Sequence, residues 1–170
     1  MAKDAKSRRT ANLATPNDLG ANASKDVAGG LNILLADVIA LYFKTKNFHW
    51  HVSGPHFRDY HTLLDEQATQ ILGTTDAIAE RVRKIGATTL RSIGDIARRQ
   101  RIEDNDSDFV GAKDMLLELH RDNLALVEGL REVKRAAEEA GDNATSGIVD
   151  DWTDLAEERA WFLFETSRGA

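Results

Sequence analysis

The chain has no cysteine, which removes disulfides and thiolate metal sites and fits a reducing compartment without requiring one. Proline occurs only at positions 16 and 55, so long stretches are free to be helical. Alternating β-branched runs bounded by hairpin turns are missing, and strands are not expected. The longest apolar run, Leu31 to Phe43, is too short to cross a bilayer and carries Asp37. The N-terminus is polar and charged, unlike a secretory signal. These absences predict a soluble, cytoplasmic, all-α chain with no membrane partner. Its 170 residues suffice for one domain with one substantial core.

What is present concentrates between Asn47 and Gly86, where four of the five histidines fall within the first fifteen residues. Two like-built pairs sit there, His61 with Asp65 and Asp76 with Glu80, and His49 lies just upstream. A separation of four places both members of a pair on one helix face. Asp65 and Asp76 are three helical turns apart, so both pairs share roughly that face, about 17 Å from each other along the axis. Metal bonds to nitrogen or oxygen are about 2.0–2.2 Å, so one ion cannot touch both pairs of the same helix. A second copy, crossing antiparallel about a two-fold near Gln70 and Ile71, brings His61 and Asp65 of one subunit to Asp76 and Glu80 of the other. Such a contact is isologous and creates two identical sites. Taken singly, the same residues also fit a solvated helix face, with His49 as an interior histidine. Their shared face and common segment are what point to a metal. His51 and His56 read as surface or turn residues.

The rest of the chain reads as helices around this segment. A first helix is predicted from about Lys25 to His51, capped by Ser24, with a stripe from Val27 through Leu31, Leu34, Val38 and Leu41. Ser53-Gly54-Pro55 breaks it, and a second helix runs to about Ile85, ended by Gly86. In the resulting antiparallel hairpin His49 can approach His61, while Trp50 reads as core. The connection from 87 to 106 carries a short helical pattern around Ile93 to Gln100, and Arg98, Arg99 and Arg101 read as solvated charge. Two further helices follow, from about Ser107 to Ala140 and, capped by Thr145, from there to Thr166. His120 has no carboxylate four residues away and reads as structural. Four long helices with one long crossover describe a ferritin-like bundle over residues 24–170.

His49-Trp50, His61-x3-Asp65 and Asp76-x3-Glu80 together resemble the ferroxidase segment of the Dps family, the ferritin-like mini-ferritins that protect DNA. The resemblance extends from about residue 24 to the end. Ferritin and bacterioferritin instead use Glu-x-x-His pairs within one bundle, and no such pair occurs here. The resemblance implies a hollow homo-dodecamer built from two-fold dimers, with the short crossover helix at the two-fold. It implies a ferroxidase that oxidises iron(II) with hydrogen peroxide or dioxygen, peroxide preferred, and stores the ferric mineral. His49 and the partner's Asp76 and Glu80 would hold the tighter iron, and His61 and Asp65 a second iron or a water. Imidazole and carboxylate suit iron without excluding zinc, manganese or cobalt. Near such a site the family's aromatic residue, here Trp50, is thought to intercept oxidising equivalents.

Two charge clusters remain. Asp142, Asp150, Asp151 and Asp154 surround the start of the fourth long helix, where carboxylates complement the helix dipole; the family resemblance adds an acidic iron-entry pore from this region. Residues 1–23 read as a flexible tail whose Lys3, Lys6, Arg8 and Arg9 oppose a formal chain charge of −6. A basic arm releases counterions from nucleic-acid phosphate, and tails of this kind bind DNA in several Dps proteins; an ordinary solubilising tail has the same composition. The competing class is therefore a nucleoid-compacting structural protein with vestigial iron chemistry.

Overall fold

The computed structural model describes residues 13–168. Helix α1 spans Ala21–His51, α2 Phe57–Lys84, α3 Ile93–Ala97, α4 Ala112–Glu139 and α5 Asn143–Ser167. Among the described residues there is no strand. Short links make α1 with α2, and α4 with α5, the two most closely packed helix pairs. The crossover carrying α3 joins these hairpins, and α1 lies against α4. This is the ferritin-like bundle with a short extra helix. The core is aliphatic, from Leu31, Leu34 and Leu41 on α1 to Leu64, Ile71 and Ile78 on α2 and Leu116, Leu119 and Leu130 on α4. Helix α1 is long and apolar enough to span a membrane, but its stripe is packed into this core.

Gly86 and Gly141 end α2 and α4 at φ 87° and 70°, the left-handed conformation that glycine adopts without a Cβ clash. Gly86 also makes room for the chain ahead of α1, because a Cβ there would meet the Thr15 carbonyl at 2.7 Å. Helix boundaries depart from the sequence reading where caps are tertiary. Helix α1 starts at Ala21 behind Gly20, and Ser24 is not its cap; its hydroxyl donates to Asn17 Oδ1 at 3.0 Å. Helix α5 starts two residues before Thr145, because Asp142 is the cap and accepts from the Thr145 amide.

Several charged groups inside the bundle are held in ion pairs. Asp37, 1% exposed, accepts from the Arg101 backbone N–H at 2.5 Å and from its guanidinium, and Arg101 also reaches Glu132. A side chain at Gly129 would collide with that guanidinium, so the glycine admits it. Arg101 is thus a clamp on the crossover rather than solvated charge, whereas Arg98 and Arg99 pair with Asp95 at the surface. Lys44 Nζ lies 2.9 and 2.8 Å from Glu118 and Asp122. Burial pushes the Asp122 carboxyl up despite the lysine beside it.

Candidate metal centre

His49 closes α1 and His61 opens α2, so the hairpin stacks their rings with centroids 3.8 Å apart. Each Nδ1 faces the other residue's backbone carbonyl, His49 Nδ1 to His61 O at 2.8 Å and His61 Nδ1 to His49 O at 2.9 Å. A carbonyl only accepts, so each Nδ1 must carry the hydrogen. In the neutral rings both Nε2 atoms are left as lone-pair nitrogens, the form in which imidazole binds a metal. His49 Nε2 lies 3.9 Å from Asp65 Oδ1. His49 Nε2 and the Asp65 carboxylate therefore approach each other at one end of α2, with the His61 ring stacked beside them.

Lys46 occupies that carboxylate now. Its Nζ sits 2.7 Å from Asp65 Oδ1, and this hydrogen bond holds Asp65 below the usual carboxylate range. Nothing in the motif spacing singles out Lys46. The hairpin register does: pairing 49 with 61 sets 46 opposite 64, one residue from Asp65.

Asp76 and Glu80 are not brought to this cluster. They lie exposed at the far end of α2, and Glu80 makes only a surface pair with Lys84 at 3.2 Å. Among the described residues of one chain, no three histidine or acidic side chains form a metal-binding group. Between the two ends the outward face of α2 carries Thr69, Leu72 and Gly73, all exposed, with Leu72 at 46%. An antiparallel crossing that sets 61 against 80 and 65 against 76 also sets Thr69 against Leu72.

The other sequence-selected residues separate. His51 and His56 are exposed. His120 Nδ1 bonds the Ala160 carbonyl at 2.9 Å as a structural residue. Trp50 is not core but 55% exposed, edge-on to Phe43. Both line a cavity of about 750 Å3 with Ile93 and Ile96 of α3. Asp142 is no pore residue: it is 2% exposed and bound to Arg81 at 2.5 Å. Asp150 is held by Lys134 at 2.7 Å, while Asp151 and Asp154 face outward. Lys3, Lys6, Arg8 and Arg9 lie outside the described residues.

The bundle and its site segment define a ferritin-like protein, and the family model for the ferritin-like domain matches residues 28–167. The DNA protection during starvation protein of Agrobacterium fabrum is 35% identical, over 88% of this chain and 92% of its own. A crystal structure of a Dps protein from Bacillus brevis superposes with a TM-score of 0.83 at 30% identity, covering 86% of this chain and 98% of that one. A Dps protein from Vibrio cholerae, described as belonging to a broad superfamily of ferritin-like diiron-carboxylate proteins, superposes at 0.80 with 26% identity, covering 85% and 90%. This chain belongs to the Dps family. Membership supports a general role in iron storage and DNA protection.

Proposed function

We propose that this protein is a ferroxidase whose metal site is completed only between two copies of the chain. The observation that carries the reading is the reciprocal pair of hydrogen bonds between His49 and His61, which leaves both Nε2 atoms free of the hydrogen, with His49 Nε2 3.9 Å from Asp65 Oδ1. Ligands held this way lose little freedom on taking a metal. The partner subunit supplies Asp76 and Glu80 across the two-fold, and Leu72 and the Phe43–Trp50–Ile93 groove give that contact its apolar area. The same dimers build a hollow dodecameric shell, as the Dps fold supports.

Iron(II) is the substrate. His49 with the partner's two carboxylates forms the tighter position, since anionic oxygen ligands stabilise iron(III) over iron(II). Asp65 and His61 receive a second iron after Lys46 is displaced. Two iron(II) ions together give two electrons to hydrogen peroxide, which takes up two protons and leaves as two waters. Peroxide is removed without one-electron chemistry, and the ferric product is stored in the shell. Asp151 and Asp154 are the acids free to draw iron(II) toward it, because a cluster of one sign raises local cation concentration. The protein acts in the cytoplasm, and the basic residues before position 10 offer DNA a contact of their own.

Anaerobic loading with iron(II) followed by peroxide tests the site. Ferric absorbance should rise quickly, with iron co-eluting with protein, and both should be slowed in an Asp76→Ala/Glu80→Ala variant. Oxidation no different from protein-free solution would leave DNA binding through the basic tail as the leading account. Removing residues 2–9 should abolish salt-sensitive DNA retardation and leave oxidation intact.

A further inference from the structure

The last turn of α2 carries three cations, Arg81, Arg83 and Lys84, on the helix end that also bears Glu80. Basic residues there complement the helix dipole. They also compete for that carboxylate, since residues three and four apart on a helix are neighbours. Lys84 takes it, at 3.2 Å. Arg81 is engaged by Asp142 and Thr145 at the start of α5. Arg83, three residues after Glu80, forms no ion pair among the described residues. Its Nη2 donates to the Leu13 carbonyl at 2.6 Å and its Nη1 to the Ala87 carbonyl. A guanidinium turned onto neutral carbonyls, with an exposed carboxylate one turn behind it, is held there by the segment ahead of α1.

Residues 13–17 cross the end of α2 as a strap. Besides the Leu13 contact, Asn17 Nδ2 donates to the Ile85 carbonyl at 3.0 Å. Asn17 Oδ1 accepts from the Leu19 amide and the Ser24 hydroxyl, each at 3.0 Å, which ties the strap to the start of α1. Gly86 lets the strap lie this close, because the Thr15 carbonyl occupies the space of a Cβ. The strap is not packed down along its length. A cavity of about 540 Å3 lies between residues 14–17 on one wall and 85–88 on another. Leu19, just beyond the strap, is packed against the core. A few hydrogen bonds over open space therefore hold the strap, and it can lift without unpacking the bundle.

We propose that this strap guards the Glu80 carboxylate: by holding the Arg83 guanidinium on Leu13, it keeps a second cation off a residue that has to be free for a metal. Arg83 is a positioning residue whose effect depends on where the strap holds it. Lifting the strap releases Nη2, and the guanidinium turns back onto Glu80, its neighbour on the helix surface. There the positive charge occupies the carboxylate and repels an incoming divalent ion. That Glu80 is a metal ligand rests on the ferroxidase reading; the capture of Arg83 by the strap and its transfer to Glu80 do not.

Two truncations separate the strap from the chain before it. Deleting residues 2–12 keeps the strap, and deleting 2–17 removes it while leaving Leu19 in the core. A double-mutant cycle of Arg83→Met with Glu80→Gln, read by thermal denaturation, measures their coupling without any metal. The two substitutions should be additive in the full chain and after the shorter deletion, and coupled after the longer one. Additivity in all three chains overturns the proposal. Cobalt(II) affinity of the assembled protein, read from its visible absorption, should fall about two- to fivefold after the longer deletion, the scale of an exposed ion pair. Adding Arg83→Met should restore it; a loss that this substitution leaves in place assigns the strap a merely structural role and overturns the proposal as well. Where the longer deletion disturbs assembly, Asn17→Ala in the full chain loosens the same strap and should show a smaller loss with the same rescue. Were cobalt binding indifferent to Asp76→Ala/Glu80→Ala, the ferroxidase reading would fail while the metal-free cycle still decided the strap.

Discussion

The two ends of α2 carry the same chemistry in opposite states. At its start His61 is stacked on His49, with Nδ1 anchored on a carbonyl, and Asp65 is engaged by Lys46. At its end Asp76 and Glu80 stand in solvent, one with no hydrogen-bond or ion-pair partner among the described residues and the other in a surface pair. The first end is organised by the α1–α2 hairpin. The second has only the surface pair of Glu80 with Lys84 among the described residues. On the proposed function, a protomer carries one prepared half-site and one loose half-site on a single helix, and a two-fold dimer would make two complete centres from them.

The sharpest way to break this comparison is to remove the partner. Leu72 lies on the outward face of α2 between the two ends, so Leu72→Arg places two like charges near the axis in an isologous contact. Iron oxidation should fall to the protein-free rate although every ligand is intact, with gel filtration reporting dissociation. Full oxidation by a dissociated chain would mean that one protomer completes a centre alone.

A subtler test mixes two defective chains. His49→Ala removes the prepared half, and Asp76→Ala/Glu80→Ala removes the loose half. Random re-association makes about half of the dimers mixed, and each mixed dimer holds one intact centre of two, so roughly a quarter of the unaltered rate should return. Recovery absent after confirmed mixing, for example by mass spectrometry of the dimers, would place all ligands of a centre on one chain.

The prepared half is itself restrained by Lys46. Its salt bridge to Asp65 is solvent-exposed on the carboxylate side, and such pairs are weak. Lys46→Met should therefore tighten metal binding at the Asp65 position by no more than about fivefold, read by titration of the apo-protein. A loss of affinity would show that the lysine supports the site instead of competing for it. The smallest effect to measure is the tautomer. Nitrogen-15 spectra of the apo-protein should find the hydrogen of both rings on Nδ1, and an Nε2-protonated ring would contradict the reciprocal hydrogen bonds.

The helices were legible because amphipathic spacing is local. Leu31, Leu34, Val38 and Leu41 recur with the period of a helix and are buried, and Gly86 and Gly141 stop their helices as their freedom of φ allows. The candidate segment stood out for the same reason, since spacings of four along one helix put His61 with Asp65 and Asp76 with Glu80. The caps were less legible. Ser24 and Thr145 have the side chains a cap needs, but Gly20 precedes α1 and Asp142 captures the Thr145 amide.

What the sequence by itself determined is therefore the helices, their faces and the separation of His61 and Asp65 from Asp76 and Glu80 along α2, since these follow from a fixed rise and period. Tertiary structure alone decided which charges are spent. Asp142 belongs to Arg81, Asp150 to Lys134, Arg101 to Asp37, and Asp65 is shared with Lys46. Each of these pairings joins residues at least sixteen positions apart, where the approach of two helices, not the spacing along one, sets which charges meet.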